Sequence, residues 1–130
     1  MYQATTRAIR VTVEPSFVDA ESSPDDGQYF WAYRIEIANL GEEVVQLRSR
    51  HWRITDANGR TEEVRGPGVV GKKPVLKPGE TFSYTSGCPL STASGIMVGT
   101  YQMETEAGEK FSIDIPAFSL DLPGRRNTLN

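Results

Sequence analysis

Apolar residues recur at every second position along most of this chain, and this alternation is the feature that most limits the folds it can adopt. A sheet needs such a pattern when one face packs on a core and the other meets water. In the second alternating segment, Arg34 and Glu36 occupy the intervening positions and are expected on the solvent face. The apolar positions are Ile9, Val11 and Val13; Tyr29, Trp31, Tyr33, Ile35 and Ile37; Phe82 and Tyr84; Met97, Tyr101 and Met103; and Phe111, Ile113 and Ile115.

Turn-forming residues separate these segments at short intervals and leave little room for helices. They occur at 22–27, 39–43, 56–60, 66–68, 77–80, 86–89 and 106–109. Seven or more strands at this spacing predict an all-β fold of the immunoglobulin-like or fibronectin type III-like β-sandwich kind, with a barrel as the less favoured alternative. We expect a single domain over residues 1–122 and a loose C-terminal tail over 123–130.

The segment from Leu40 to His51 fits two structures, because its apolar residues also fall at helical spacings. We favour a strand, since Val44 and Val45 are β-branched and the Asn-Gly pair at 58–59 is a strong hairpin signal. The apolar phase then changes from odd positions, at 45 and 47, to even positions, at 52 and 54. This change predicts a β-bulge near residues 48–50, or a strand that bends from one sheet to the other.

Composition narrows the classes of function. A chain of 130 residues can bury a core large enough to fold without disulfides or bound metals. Its one cysteine, Cys88, excludes an internal disulfide. The N-terminus lacks the pattern of a signal peptide, which predicts a cytoplasmic location. No stretch approaches the roughly 20 apolar residues of a spanning helix. The formal charge of −3 favours neither binding to nucleic acid nor insertion into a membrane.

The heptapeptide RGPGVVG at 65–71 contains a GxGxxG motif formed by Gly66, Gly68 and Gly71. A dinucleotide-binding fold requires a helix directly after this motif, but Pro74 and Pro78 forbid one. Two interpretations remain. The glycines can serve a long connection between strands, which we favour, or their N–H groups can form an anion-binding nest. In the second case the flanking cations are Arg65, Lys72 and Lys73.

No catalytic or metal-binding constellation stands out. His51 is the only histidine, and Cys88 lies in a predicted turn without the flanking signatures of cysteine enzymes. The acidic loop at 19–26 lacks EF-hand spacing. We therefore predict no catalytic residues, no metal site and no cofactor. Phe30 falls on the outer face of its strand, which hints at a protein interface or at sheet-edge pairing.

Several unusual pieces in a fixed order closely resemble the ApaG family. They are HWRITDANGR at 51–60, RGPGVVG at 65–71, PVLKPGETFSYTSGCPLST at 74–92, GIMVGTYQM at 95–103 and FSIDIPAFSL at 111–120. The resemblance covers residues 10–122. It implies a β-sandwich, often dimeric, without established catalytic activity, in a family associated with cobalt resistance and magnesium efflux. It also marks the glycine motif as a family hallmark, for which pyrophosphate or nucleotide binding has been suggested. Many members carry an acidic residue where this chain has Lys72, which makes anion binding easier here.

These observations predict a soluble, non-enzymatic binding or interaction module that acts on cation efflux indirectly, since a chain without a spanning segment cannot itself be a pump. The expected partners are an unidentified protein and a second copy in a homodimer. The alternative function is nucleotide or pyrophosphate binding at residues 65–73. Hydrolysis of dinucleoside polyphosphates is the least favoured, because the sequence offers no recognisable base, nucleophile or metal ligands.

Overall fold

Nine strands account for most of residues 1–122, which are the residues that the computed structural model describes. Two short 3₁₀ helices, Asp19–Glu21 and Pro24–Asp26, lie between the second and third strands. The strands are β1 (Tyr2–Thr6), β2 (Ile9–Phe17), β3 (Tyr29–Asn39), β4 (Val45–Asp56), β5 (Thr61–Pro67), β6 (Val75–Leu76), β7 (Thr81–Leu90), β8 (Ser94–Thr105) and β9 (Lys110–Asp121). The prediction of an all-β chain with seven or more strands is confirmed.

The strands form two antiparallel sheets that pack as a sandwich. The first sheet has the order β1-β2-β3-β7, and the second has the order β5-β4-β8-β9 with β6 paired to β4. The specific likeness to immunoglobulin and fibronectin type III topologies stays a prediction, and the predicted tail at 123–130 lies outside the described residues. Within residues 1–122, no helix combines the length and apolar character needed to cross a membrane.

The core lies between the inner faces of the two sheets, where the alternating apolar residues meet. On β2, Ile9, Val11 and Val13 are at most 1% exposed, and Ile35 and Ile37 on β3 are fully buried. The second sheet contributes Tyr101, Ile113 and Phe118, each also at most 1% exposed. Each large apolar side chain buried in this way stabilises the fold by about 1.5–3 kcal/mol, so the period-two pattern is what holds the sheets together.

Two bulges let strands change phase without losing their core contacts. In β4 the pairing with β8 shifts between Leu47 and Ser49, so Arg48 is the extra residue and the predicted bulge is confirmed. A second shift in the β8–β9 ladder adds a residue to β9 between Ile115 and Phe118, and the buried positions change there from odd to even. The sequence carries the same change of apolar phase at both places.

The turn predicted at residues 86–89 is wrong, because β7 runs through this segment without interruption. Gly87 serves close packing, since a Cβ there would overlap with the ring of Phe30 on the adjacent strand. Pro89 is tolerated because β7 is an edge strand, and proline in a sheet is confined largely to edges and bulges. Cys88 consequently lies in a strand and is 3% exposed, not in a loop as predicted.

One side of the sandwich is closed by contacts between β1 and β9. The Asp114 N–H donates to Thr6 Oγ1 at 3.1 Å, and the Ser119 N–H donates to Tyr2 Oη at 3.4 Å. On the opposite side, β7 is the last strand of its sheet and β5 is the last strand of the other. This second side, which we call the open side, brings together an edge strand, a cleft and the glycine loop.

Candidate functional site

The outer edge of β7 forms the longest part of the open side. Its ten residues, TFSYTSGCPL, include no charged side chain. β7 pairs with β3 along one edge, and among residues 1–122 no strand pairs with the other. Natural edge strands are usually protected by charges, bulges or shortness, because unpaired N–H and C=O groups can pair with another chain. β7 has only Pro89 as such a protection.

The ladder between β3 and β7 determines which backbone groups of β7 face outward. The Asn39 N–H donates to Glu80 O at 2.9 Å, and hydrogen-bonded pairs alternate along an antiparallel ladder. The even-numbered residues of β7 therefore bond to β3, and the odd-numbered ones direct their N–H and C=O groups outward. Pro89 is odd-numbered, so its missing N–H removes nothing from the ladder inside the sheet. The outward N–H groups belong to Thr81, Ser83, Thr85 and Gly87.

Phe30 lies on the outer face of β3, as the alternation predicts, and covers the position left empty by Gly87 on β7. The ring is half-buried in this position. This outward aromatic ring therefore has a packing role within the chain, on Gly87. The interface that Phe30 hints at stays a prediction.

A cleft of about 230 Å³ opens between the sheets on the same side. Tyr33 from β3, Arg50 and Trp52 from β4, and Ser86 from β7 converge on it, and Glu62 of β5 also lines it. The rings of Tyr33 and Trp52 are 5.4 Å apart in an edge-on arrangement. The cleft therefore combines aromatic walls with both signs of charge, although its residues are far apart along the chain.

Buried hydroxyl and thiol groups lie in the interior near this cleft. Tyr84 Oη and Tyr101 Oη form a hydrogen bond across the two sheets, and burial raises the pKa of both hydroxyls above the usual value of 10.0. Burial also raises the pKa of the Tyr33 hydroxyl. It raises the pKa of the Cys88 thiol to about 11. A thiol with so high a pKa is almost entirely protonated at neutral pH and is a poor nucleophile.

The glycine motif forms a tight hairpin between β5 and β6, as the favoured interpretation predicts. The Val69 N–H donates to Lys72 O, and the Lys72 N–H donates to Val69 O, both at 2.8 Å. The two residues between them, Val70 and Gly71, have φ values of 43° and 79°. Both values lie in the left-handed region, which a β-branched residue such as valine rarely adopts. Gly68 has a φ of 61°, and a Cβ there would overlap with a backbone oxygen.

Residues of β4 bind the hairpin, among them Arg50, which also lines the cleft. Arg50 Nη1 donates to Pro67 O at 3.0 Å and to Gly68 O at 2.9 Å, and the Gly68 N–H donates to Arg48 O at 2.9 Å. The N–H groups of residues 68, 69 and 72 are thus engaged within the chain, and Pro67 has none. The predicted flanking cations, Arg65, Lys72 and Lys73, are all exposed, and Arg65 is 3.5 Å from Glu63 Oε1.

His51 is separated from Cys88 by the sandwich itself. It lies on the outer face of β4, where its Nε2 is 2.7 Å from Glu63 Oε1. This hydrogen bond, with a smaller contribution from Arg65, lowers the pKa of the Glu63 carboxyl. Cys88 belongs to the other sheet and faces the interior, so the structure does not bring the two side chains together. Within residues 1–122, no three His, Cys, Asp or Glu side chains are grouped so as to hold a metal ion.

Comparison with known proteins gives this architecture a family. The family model described as the ApaG domain matches residues 19–105. The chain belongs to the ApaG family. ApaG proteins from Rhodopseudomonas palustris and Bradyrhizobium diazoefficiens are 65% and 62% identical to it over all 130 residues, which is the full length of each protein. The resemblance inferred from the sequence is thereby confirmed.

A solved structure supports the same assignment. The crystal structure of a putative ApaA protein from Bordetella pertussis is 50% identical, with a TM-score of 0.86, over 88% of this chain and 94% of that one. The open side is therefore part of an ApaG-family sandwich. Of the predicted site residues, the structure brings together Gly66 and Gly68 with Arg50, which sequence reasoning did not select.

Proposed function

We propose that this ApaG-family chain is a non-enzymatic, cytoplasmic interaction module whose β7 edge pairs with an extended strand of another chain, and that a second copy is the first such partner. The observation that carries the proposal is the uncharged, unpaired ten-residue edge of β7. Adding a strand to such an edge gives affinity through main-chain hydrogen bonds. The neighbouring side chains then supply specificity.

A second copy suits this edge for an electrostatic reason. In a two-fold dimer the same strand appears on both sides of the interface, so any charged residue near the axis faces its own copy. Like charges placed directly opposite each other destabilise a strand pair. The segment TFSYTSGCPL has no charge to repel, and its outward residues, threonine and serine at 81, 83 and 85, can pair by hydrogen bonds.

The oligomeric state tests this proposal directly. Light scattering after size exclusion should give twice the 14.4 kDa of one chain for the wild type. Thr85→Lys introduces a cation at the outer edge, which is a common natural protection of edge strands, and should weaken the dimer at least tenfold. Thr12→Lys is the matched control, because β2 is an internal strand of the same sheet. A monomeric wild type, or a Thr85→Lys variant that dimerises as well as the control, contradicts the proposal.

The association of the family with cobalt resistance and magnesium efflux fits this proposal as an indirect effect. A module that pairs by strand addition can change the assembly or activity of a transport system without moving ions itself. Deleting the gene should then alter cobalt tolerance, and restoring the Thr85→Lys variant should fail to correct it while Thr12→Lys succeeds. Correction by Thr85→Lys would show that the β7 edge has no part in that phenotype.

Nucleotide or pyrophosphate binding at residues 65–73 has weaker support. The exposed Lys72 and Lys73 favour an anion, but most backbone donors of the hairpin already bond within the chain. Titration with ATP, diadenosine tetraphosphate and pyrophosphate, followed through the amide shifts of Gly66, Gly68 and Gly71, tests whether the loop binds such an anion. Unchanged shifts at millimolar ligand dismiss this alternative, and phosphate release during the same titration would instead indicate a hydrolase.

A further inference from the structure

Arg50 is a half-buried cation without a carboxylate partner. Its Nη1 binds two carbonyl oxygens of the glycine hairpin, but within residues 1–122 no carboxylate oxygen lies within 4.0 Å of its guanidinium. Leaving a partly buried charge unpaired is costly, so such groups are normally paired. Arginine has five N–H donors, arranged in a fork that matches a carboxylate. Arg50 therefore retains the capacity to bind an anion in the cleft.

Trp52 lines the same cleft. Trp52 is 2% exposed, and its Nε1 is buried without a hydrogen-bond partner among the described residues. Buried indole N–H groups usually find a partner. Because this Nε1 is itself inaccessible to solvent, the donor open to a ligand in the cleft is the half-buried Arg50 guanidinium, and Trp52 contributes an aromatic wall.

Shape and charge restrict the ligand further. A volume of about 230 Å³ lies below the roughly 300–1,000 Å³ of most drug-sized sites, so the ligand is small. Tyr33, Trp52 and Val64 line its walls. Glu62 lines the same cleft, which disfavours a molecule of several negative charges such as a polyphosphate.

We propose that the cleft binds a small planar monocarboxylate, with the carboxylate on Arg50 and the flat apolar body against Tyr33 and Trp52. Ser86 of β7 lines this cleft and Arg50 also binds the glycine hairpin, but the proposed contacts to Arg50, Tyr33 and Trp52 need no second copy of the chain. Binding would be weak for a minimal compound and would depend on a single negative charge. The cleft is thus a small-molecule site of the interaction module.

Benzoate is a suitable probe, and benzamide is its uncharged analogue of nearly the same shape. Titration into the ¹⁵N-labelled wild-type chain is followed through the indole N–H signal of Trp52, with that of Trp31 as an internal reference. We expect benzoate to shift the Trp52 signal in a saturable way and benzamide to bind at least tenfold more weakly. This comparison needs no variant and therefore holds even if substitutions at the cleft impair folding.

Two substitutions of arginine by glutamine complete the test. Arg50→Gln should weaken benzoate binding at least tenfold, whereas Arg53→Gln, on the same strand, should leave it unchanged. Val64→Phe fills the cleft and should weaken benzoate and benzamide alike. The proposal is overturned if benzoate leaves the Trp52 signal in place, if benzamide binds equally well, or if a folded Arg50→Gln chain binds like the wild type.

Discussion

Replacing Tyr101 by phenylalanine removes one hydroxyl from the middle of the sandwich and leaves another without a partner. Tyr101 is 0% exposed and Tyr84 is 9% exposed, and their hydroxyls bond to each other across the two sheets. In Tyr101→Phe the Tyr84 hydroxyl stays buried beside an apolar ring. In Tyr84→Phe the roles are reversed, and the double variant removes both polar groups together.

The expected energies follow from the cost of an unsatisfied group. A buried donor or acceptor that loses its partner costs about 1–3 kcal/mol, whereas replacing both partners by apolar groups can be nearly neutral. For a chain of this length, 1 kcal/mol corresponds to roughly 4 °C in Tm. Each single variant should therefore lose about 8 °C, and the double variant should lose less than either single variant.

Thermal unfolding followed by circular dichroism, together with urea titration, measures all four proteins of this double-mutant cycle. Deviation from additivity reports the coupling of two groups in contact. We expect a coupling of about 2 kcal/mol or more. Losses that add up in the double variant, or single variants as stable as the wild type, would refute the conclusion that the hydroxyl pair is buried and mutually satisfied.

Three further predictions concern the hairpin, the thiol and alkaline pH. Gly71→Ala should cost about 1–2 kcal/mol, as an L-residue does in the left-handed region, whereas Gly68→Ala should cost more in urea unfolding because its Cβ also overlaps with a backbone oxygen. The Cys88 thiol, with its pKa raised to about 11 from 9.0, should react with a disulfide reagent at pH 8 about 100-fold more slowly in the native chain than in the unfolded one. The pKa values of Tyr84 and Tyr101 are raised on folding, so their contribution to stability is complete below pH 10.0 and is lost above it. The double phenylalanine variant should show a smaller alkaline loss of stability than the wild type in urea titrations at increasing pH.

Much of the fold was predictable because the core is encoded locally. Alternation identified the buried faces of β2, β3, β7, β8 and β9, and the change of phase in β4 located the bulge at Arg48. The error at residues 86–89 has a physical cause, since glycine and proline in that segment serve packing against Phe30 and an edge position in place of a turn. Local composition could not reveal this, because it depends on which strand lies next to β7.

The candidate sites were harder to predict because they depend on the order of strands in the sheets. Tyr33, Arg50 and Ser86 come from three strands in two sheets, and no spacing in the sequence links them. The uncharged segment of β7 can be read from the sequence, but its significance requires knowing that the strand is an edge. The glycine motif, by contrast, is conspicuous in the sequence, and the N–H groups of Gly68 and Val69 prove to donate to acceptors within the chain.

Amide hydrogen exchange along β7, measured as a function of protein concentration, tests the central proposal most directly. The N–H groups of Ser83, Thr85 and Gly87 face away from β3, so they are protected only when another strand pairs with this edge. We predict that their protection rises with concentration in the wild type and not in Thr85→Lys, while the amides of β2 are unaffected. Rapid exchange of these three N–H groups at every concentration would contradict the account of β7 as the interaction edge.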